Sequence, residues 1–187
     1  MTIKKQFNII LLFAAILIGL TACQNSTKQQ LVGTWSYTTH LSTDDSEVFG
    51  SGTESLNEDG TYSEEGTVVF SGNTEVEGMN LRVKATFGIK GSGEWTLNDE
   101  KEIVFSPTSV GTKVISYRLS DPDDETNFFD LTGSELQEFS QEFAQEIKQD
   151  LLEASTERII MLNENKLVTE STDEDGKKSS TTYNRIK

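Results

Sequence analysis

The chain has 187 residues, a formal net charge of −15, one cysteine and one histidine. An acidic field of this size opposes nucleic acid, and one cysteine cannot build an intramolecular disulfide framework. Because cysteine and histidine ligands are so scarce, we also expect no metal site and no cofactor.

The first 22 residues have the pattern of an export signal. Two lysines precede an apolar run over residues 9–20, and two small residues lead to Cys23. As a helix, this run would span about 18 Å, which is short of the roughly 30 Å hydrocarbon core, so a permanent transmembrane helix is the weaker interpretation. The tetrapeptide LTAC resembles the bacterial lipobox. That resemblance implies cleavage before Cys23 and attachment of acyl chains such as palmitate to this cysteine; the alternative is a free cysteine at the end of a cleaved signal.

The chain is therefore predicted to divide into a lipoprotein signal peptide (1–22), a lipidated tether (23–30) and one β domain (31–187). The mature part would have 165 residues, with 14 basic and 31 acidic side chains and a formal charge of −17. That length suits one domain with a full core. We expect it to be exported and anchored to the bacterial cell envelope. In a Gram-negative organism the site would be the outer membrane, because glutamine rather than aspartate follows the cysteine.

Turn signals predict a series of antiparallel hairpins after residue 31. LNEDGTY and TDEDGKK each have a glycine at the left-handed position of a three-residue loop. The first would set Leu56 opposite Tyr62, and the second Leu167 opposite Tyr183. LNDEKEI and LNENKLV share a Leu-Asn-acid opening and predict two more turns.

The longest alternation of apolar and polar residues runs from residue 79 to residue 97, where the odd positions hold the large apolar side chains. This pattern is typical of a strand with one buried face. One strand of this length would measure roughly 60 Å, against about 40 Å for a compact domain of this size. We therefore predict that it folds back at a loop of Gly91, Ser92 and Gly93, with Ile89 opposite Trp95.

One amphipathic helix is predicted over about 135–153, before the final strands. Ser134 and Gln137 form a capping box, and apolar side chains follow at spacings of three or four residues. The loop before it groups four acidic residues between Asp121 and Glu125. Because it lacks the glycine and glutamate of a calcium-binding EF-hand, a solvated loop is the expected state and a calcium site the alternative.

The stretch LVGTWSY, with Gly33 and Trp35, resembles the G-x-W that opens the first strand of lipocalins. The resemblance implies an eight-stranded up-and-down barrel whose closed end is plugged by the tryptophan, with an arginine near the last strand stacked on it; here that residue is Arg185. A lipobox followed by GTW is similar to bacterial lipocalin-like lipoproteins, although in lipocalins the helix follows the eighth strand. We expect a mainly β fold in which an antiparallel meander of eight to ten strands closes as a barrel. A β-sandwich is the alternative.

The alternation turns a set of aromatic side chains toward the interior. A barrel of eight strands is either filled by such side chains or holds one small ligand. The candidate ligand-binding residues are Trp35, Tyr37, Tyr62, Phe70, Phe87, Trp95, Phe105 and Tyr183.

Residues that carry acid–base or nucleophilic chemistry are few. His40 lies on the strand face opposite Trp35, where a solvated imidazole is expected. Glu64 shares the parity of Tyr62 and is the one acid that the pattern buries, either at the barrel mouth or as a functional carboxylate. No nucleophile elbow is present, so we expect no catalytic site and no enzyme.

Two functions remain as hypotheses. The first is a membrane-anchored lipoprotein whose barrel binds a small hydrophobic or amphipathic ligand. The second is a non-catalytic envelope protein that uses its acidic outer surface to bind a protein partner or to serve a structural role. In both, the acyl chains attach the protein to the membrane, and nucleic acid is not a partner.

Overall fold

The computed structural model describes residues 26–42, 46–76, 79–124, 126–133, 145, 148–149, 151–172 and 176–186. The predicted signal peptide and Cys23 lie outside the described residues, as does most of the predicted helix over 135–153. Within that range, residues 145 and 148–149 are described and are helical, whereas residues 151–153 form a turn and a bend, so the described part does not extend the helix to residue 153.

The described residues form a mainly β, antiparallel fold, as predicted. A short helix, α1, covers residues 26–31 and leads into the first strand. The strands are β1 (Gly33–Ser42), β2 (Ser46–Leu56), β3 (Thr61–Val76), β4 (Met79–Leu97), β5 (Glu102–Ser120), β6 (Phe128–Asp130), β7 (Ser155–Leu162), β8 (Lys166–Thr172) and β9 (Lys178–Arg185).

These strands make one sheet that closes on itself in a barrel-like ring. The hydrogen-bonded order is β4-β3-β2-β1-β9-β8-β7-β5-β6, and β4 also pairs with β5. The ring is closed because β5 has two neighbours: it pairs with β4 along its length, and its residues Glu102–Phe105 pair with Ser155–Arg158 of β7. At the far end of β5, the short strand β6 pairs with Arg118–Ser120. A single closed sheet, rather than two stacked sheets, rules out the β-sandwich alternative.

The turns follow the predicted chemistry. Leu56 pairs with Tyr62, and Leu167 pairs with Tyr183, as predicted. Gly60 has a φ of 86°, in the left-handed region that favours glycine. In the β4–β5 turn, the Asn98 side-chain oxygen accepts hydrogen bonds from two backbone N–H groups, which fixes the loop.

The predicted fold-back at Gly91–Gly93 is wrong. β4 runs unbroken from Met79 to Leu97 and pairs with β3 and β5 along its length. Irregularities in its pairing with β5 lie between Thr86 and Phe87 and between Ser92 and Gly93. A side chain at Gly93 would collide with the backbone of Ser106 and Pro107. The glycine therefore permits a close approach between two strands instead of a reversal of the chain.

Two hydrophobic clusters fill the interior. The closed-end core lies against α1 and contains Leu31, Trp35, Leu56, Trp95, Ile103 and Leu167, among others. The far cluster consists of Val83, Ala85, Phe87 and Tyr117, with Phe70 packed against it.

Candidate functional site: a glutamate-lined cavity

The closed end of the ring is solid. The Arg185 guanidinium lies 4.0 Å from the centre of the Trp35 ring, which is fully buried. Arg185 also donates to the backbone oxygens of Val32 (2.9 Å), Glu164 (2.7 Å) and Gln30. The structure thus brings Trp35 and Arg185 together, with cation–π contact and charge-assisted hydrogen bonds joining the two ends of the domain.

Both tryptophan side chains belong to this end. Trp35 Nε1 donates to the Leu31 backbone oxygen at 2.8 Å, and Trp95 Nε1 donates to the Asn57 backbone oxygen at 3.1 Å. The Lys28 ammonium of α1 lies 5.3 Å from the centre of the Trp95 ring. Both tryptophans belong to the closed-end core, and neither is among the described residues that line the cavity discussed below.

The eight aromatic candidates do not form one site, although six of them, all but Phe70 and Phe87, belong to the closed-end core. Phe70 and Phe87 are in the far cluster. Four others line a cavity of about 290 Å³ inside the ring. They are Tyr37, Tyr62, Phe105 and Tyr183.

This cavity is acidic. Glu54 of β2, Glu64 of β3 and Glu157 of β7 line it, together with Glu153 just before β7. No lysine, arginine or histidine is among its described lining residues. Cavities that hold a small molecule usually combine aromatic walls with a few placed polar groups, and this one does so with carboxyl groups.

The register of the strands explains why two of these acids face inward. Glu54 pairs with the buried Trp35 on one side and with Glu64 on the other. Directly paired residues lie on the same face of a sheet, so all three side chains point into the ring. Glu64 in turn pairs with Gly91, where a Cβ atom would lie 2.9 Å from the Glu64 Cγ atom. This glycine leaves the space that the Glu64 side chain occupies.

Glu157 is held by two hydroxyl groups. Its Oε2 atom accepts hydrogen bonds from Thr169 Oγ1 at 2.6 Å and from the Tyr183 hydroxyl at 3.0 Å. Burial raises the pKa of Glu157, and these two hydrogen bonds act against that rise because they favour the ionised form. Glu157 is thus a positioned carboxyl group with its own donors.

Glu54 differs from Glu157 in this respect. Its side chain is 5% exposed, and no hydrogen bond or ion pair to it is found within the part of the chain that the structure describes. Burial raises its pKa well above the ordinary value, and the nearby carboxyl groups of Glu157 and Glu64 add to the rise. No described side-chain oxygen is both fully buried and without a hydrogen-bond partner, so the Glu54 carboxyl oxygens keep contact with the space of the cavity. Burial of the rest of the side chain still makes the ionised form costly.

The remaining groups of the cavity respond to the same environment. The pKa of Glu64 is raised, mainly by burial and then by the charge of Glu157. Burial, followed by the charges of Glu64 and Glu54, raises the pKa of Tyr62 to about 12. The pKa values of Tyr37 and Tyr183 are raised in the same direction, chiefly by burial. The three tyrosine hydroxyls therefore stay neutral near pH 7 and act as donors or acceptors.

The other sequence-predicted candidates lie elsewhere. His40 is exposed on the outer face of β1. In the loop after β5, the carboxylates of Asp121 and Asp124 accept hydrogen bonds from nearby backbone N–H groups; Glu125 lies outside the described residues. No cluster of three or more possible metal ligands occurs in the described ranges.

Sequence reasoning identified Glu64 but missed Glu54 and Glu157. For Glu54 the signal was present, because Leu56 was predicted to face inward and a residue two positions earlier in a strand shares its face. For Glu157 the signal was ambiguous. The adjacent Ile159 and Ile160 are both apolar, so the parity of β7 could not be read from the sequence.

The chain was compared with models of protein families and with curated proteins. No protein-family model matches the chain, and no curated protein matches it. Among the residues that the structure describes, no helix has the length and apolar character needed to cross a membrane.

Proposed function

We propose that the protein is an exported lipoprotein, anchored to the cell envelope by acyl chains on Cys23, whose ring-shaped sheet binds a small amphipathic molecule. The observation that carries the binding function is the cavity of about 290 Å³ with four aromatic and four glutamate side chains in its lining. The anchor rests on the lipobox-like LTAC. The lipocalin-like interpretation rests on the G-x-W start and is supported by the contact between Trp35 and Arg185.

The lining favours an amphipathic ligand over a purely apolar one. Tyr37 and Phe105 offer apolar ring surface, whereas Glu54 and Glu64 would each lose hydration against a hydrocarbon. A fatty acid would, in addition, bring a carboxylate close to carboxyl groups. The function proposed is binding rather than catalysis.

The anchor can be tested by labelling cells with an alkyne analogue of palmitate. We expect the wild-type chain to carry the label and to sediment with membranes, and Cys23→Ala to carry none. Lys28→Ala is the matched control in the same region and should be labelled as the wild type is. Label retained by Cys23→Ala, or absent from the wild type, would contradict the anchor.

The binding function can be tested by native mass spectrometry of the chain purified from its own cells. We expect a bound species that leaves on unfolding and is reduced when the cavity is narrowed by Thr39→Phe, at a residue that lines it. Thr38→Phe is the control, because Thr38 is exposed and has the opposite parity on β1. If the chain carries no small molecule and crosslinking in cells instead captures a protein on its acidic outer surface, the envelope-interaction hypothesis replaces this one.

A further inference from the structure

The described lining of the cavity contains acidic side chains and no basic ones. Glu54, Glu64, Glu153 and Glu157 line it, and none of its described lining residues is lysine, arginine or histidine. Glu65, the neighbour of Glu64 on the outer face of β3, pairs with Lys90 at 2.9 Å. Glu64, on the inner face, has no such basic partner among the described residues that line the cavity.

Glu54 is the cavity residue whose surroundings point most directly to a ligand. It is nine-tenths buried, it lines the cavity, and within the described residues it accepts no hydrogen bond and joins no ion pair. The described part of the chain has no side-chain oxygen that is both fully buried and without a hydrogen-bond partner, so the Glu54 carboxyl oxygens keep contact with the space of the cavity. Most of the hydration of this carboxyl group is nevertheless lost, which favours a ligand that supplies a partner from the cavity side. The Glu157 carboxylate beside it does have donors, so the deficit is local to the Glu54 side of the cavity.

The aromatic rings complete a site of recognisable chemistry. The Tyr37 and Tyr183 ring centres are 6.0 Å apart, and those of Tyr62 and Phe105 are 5.1 Å apart. Such packing holds the rings in fixed positions around the carboxyl groups. Aromatic faces beside acids attract an alkylated ammonium group through both the ring quadrupole and the carboxylate charge.

The arrangement suits an organic cation better than a bare metal ion. Among the described residues, no group of three or more histidine, cysteine, aspartate or glutamate side chains is placed so that it could hold a metal ion. Three of the four cavity acids come from three different strands of the ring, and the cavity has several times the volume that one water molecule needs. A ligand of several atoms can reach Glu54 with its charge and the rings with its carbon skeleton.

We propose that this cavity binds a small organic ammonium compound, with its charged nitrogen at Glu54 and Glu64 and its apolar part against Tyr37, Tyr62 and Tyr183. This inference rests on the proposed binding function and names its ligand class. The ligand supplies the partner that Glu54 lacks among the described residues, and the excess of carboxyl groups excludes anionic molecules of the same shape.

The test uses three probes that differ only in their head group: 2-phenylethylammonium, 2-phenylethanol and phenylacetate. Each is titrated by calorimetry into the full chain as purified from cells, and empty detergent or lipid carrier is subtracted as a blank. We expect the ammonium probe to bind at least about tenfold more tightly than the alcohol, and phenylacetate to bind most weakly.

The variant Glu54→Gln keeps the shape of the side chain and removes its charge. We expect it to reduce the preference for ammonium over alcohol by roughly tenfold while the alcohol still binds, which also shows that the variant is folded. Glu64→Gln should act in the same direction. Glu65→Gln is the matched control, because it removes one unit of the same net charge from the exposed neighbour of Glu64.

The outcomes separate the two proposals. If the alcohol or phenylacetate binds as tightly as the ammonium probe, or if Glu54→Gln and Glu65→Gln have equal effects, the cation inference is overturned while ligand binding stands. If no probe binds and no molecule co-purifies, the binding function itself falls. A co-purified species that is neutral or anionic overturns the inference, and a cationic one supports it.

Discussion

The closed end of the ring and the cavity next to it treat buried polar groups in opposite ways. At the closed end, the indole N–H groups of Trp35 and Trp95 both donate to backbone oxygens, and Arg185 donates to three. In the cavity, Glu54 has no such partner within the described residues. The first region is built from satisfied contacts that stabilise the fold, whereas the second holds a largely buried carboxyl group that has no donor among the described residues, a loss of stability that is common at binding sites.

The largest expected effect comes from emptying the closed end. Trp35→Ala removes a fully buried ring and the base on which Arg185 stacks, so it should lower the free energy of unfolding by about 3–5 kcal/mol. Urea unfolding followed by Trp95 fluorescence measures this. Phe49→Ala, at a side chain that is 46% exposed, is the control and should cost less than about 1 kcal/mol. Equal losses in the two variants would show that the closed end is not the stabilising region.

A smaller loss is expected when the charge at the closed end is kept but its geometry is changed. Arg185→Lys cannot reach the three backbone oxygens at once and should cost about 1–3 kcal/mol, the value of hydrogen bonds to a charged group. Arg118→Lys is the matched control, because Arg118 forms an exposed pair with Asp130 and should lose less stability than Arg185→Lys does. Thermal unfolding of both variants compares them directly, and an Arg185→Lys loss no greater than that of Arg118→Lys counts against the role of the stack.

In the cavity, unlike at the closed end, replacing a side chain is expected to increase the free energy of unfolding. The pKa of Glu54 in the folded protein is raised well above its ordinary value of 4.5. Its contribution to stability is therefore present below that value and is lost as the pH rises through the folded pKa, because the unfolded chain ionises first. Without ligand, Glu54→Gln should stabilise the protein at pH 7 by about 0.5–2 kcal/mol, a range common for single stabilising changes.

The same variant should also flatten the dependence of stability on pH. Urea unfolding at several pH values between about 4 and 8 measures both effects, and the difference between wild type and variant should grow as the pH rises. A variant that is less stable than the wild type at pH 7 would mean that Glu54 has a structural partner, which would remove the contrast between the two regions.

The smallest effect is expected one residue away from the cavity. Glu65→Gln breaks the pair with Lys90, whose two side chains are 65% and 72% exposed, and should change the free energy of unfolding by less than about 0.5 kcal/mol. Glu64→Gln, on the inner face, should instead stabilise the ligand-free protein, because the pKa of Glu64 is also raised by burial. Differential scanning calorimetry of the Glu64→Gln and Glu65→Gln variants compares the stability effects of the inner and outer faces of β3. Matching shifts in the two variants would show that Glu64 behaves as a surface acid.

The fold was largely predictable because its turns carry local chemistry. Hairpin loops with a left-handed glycine or an asparagine that caps its own loop depend on a few adjacent residues, and these set the register of Leu56 with Tyr62 and of Leu167 with Tyr183. The error at Gly91 and Gly93 came from a length argument. A compact shape was assumed to forbid a nineteen-residue strand, yet β4 exists because β3 and β5 are also long and pair along it.

The site was less predictable because it depends on contacts across the ring. Parity alone turns Trp35 and Tyr37 inward into the same buried cluster, but it cannot tell that Tyr37 also lines the cavity. Trp35 differs because of α1, whose Leu31 is buried against it. The six residues of this helix lie mostly in the part predicted as tether and contain no amphipathic pattern long enough to reveal it.

The position of α1 has a consequence for how the protein would stand in the envelope. The helix starts three residues after Cys23, a stretch that can extend no more than about 11 Å. With the proposed acyl chains in the bilayer, the Trp35 end of the ring would lie next to the lipid headgroups. The partly exposed Ser171 and Ser179, at the cavity wall farthest from α1, would then face the surrounding fluid. Molecules would arrive from that aqueous side rather than by lateral diffusion out of the bilayer.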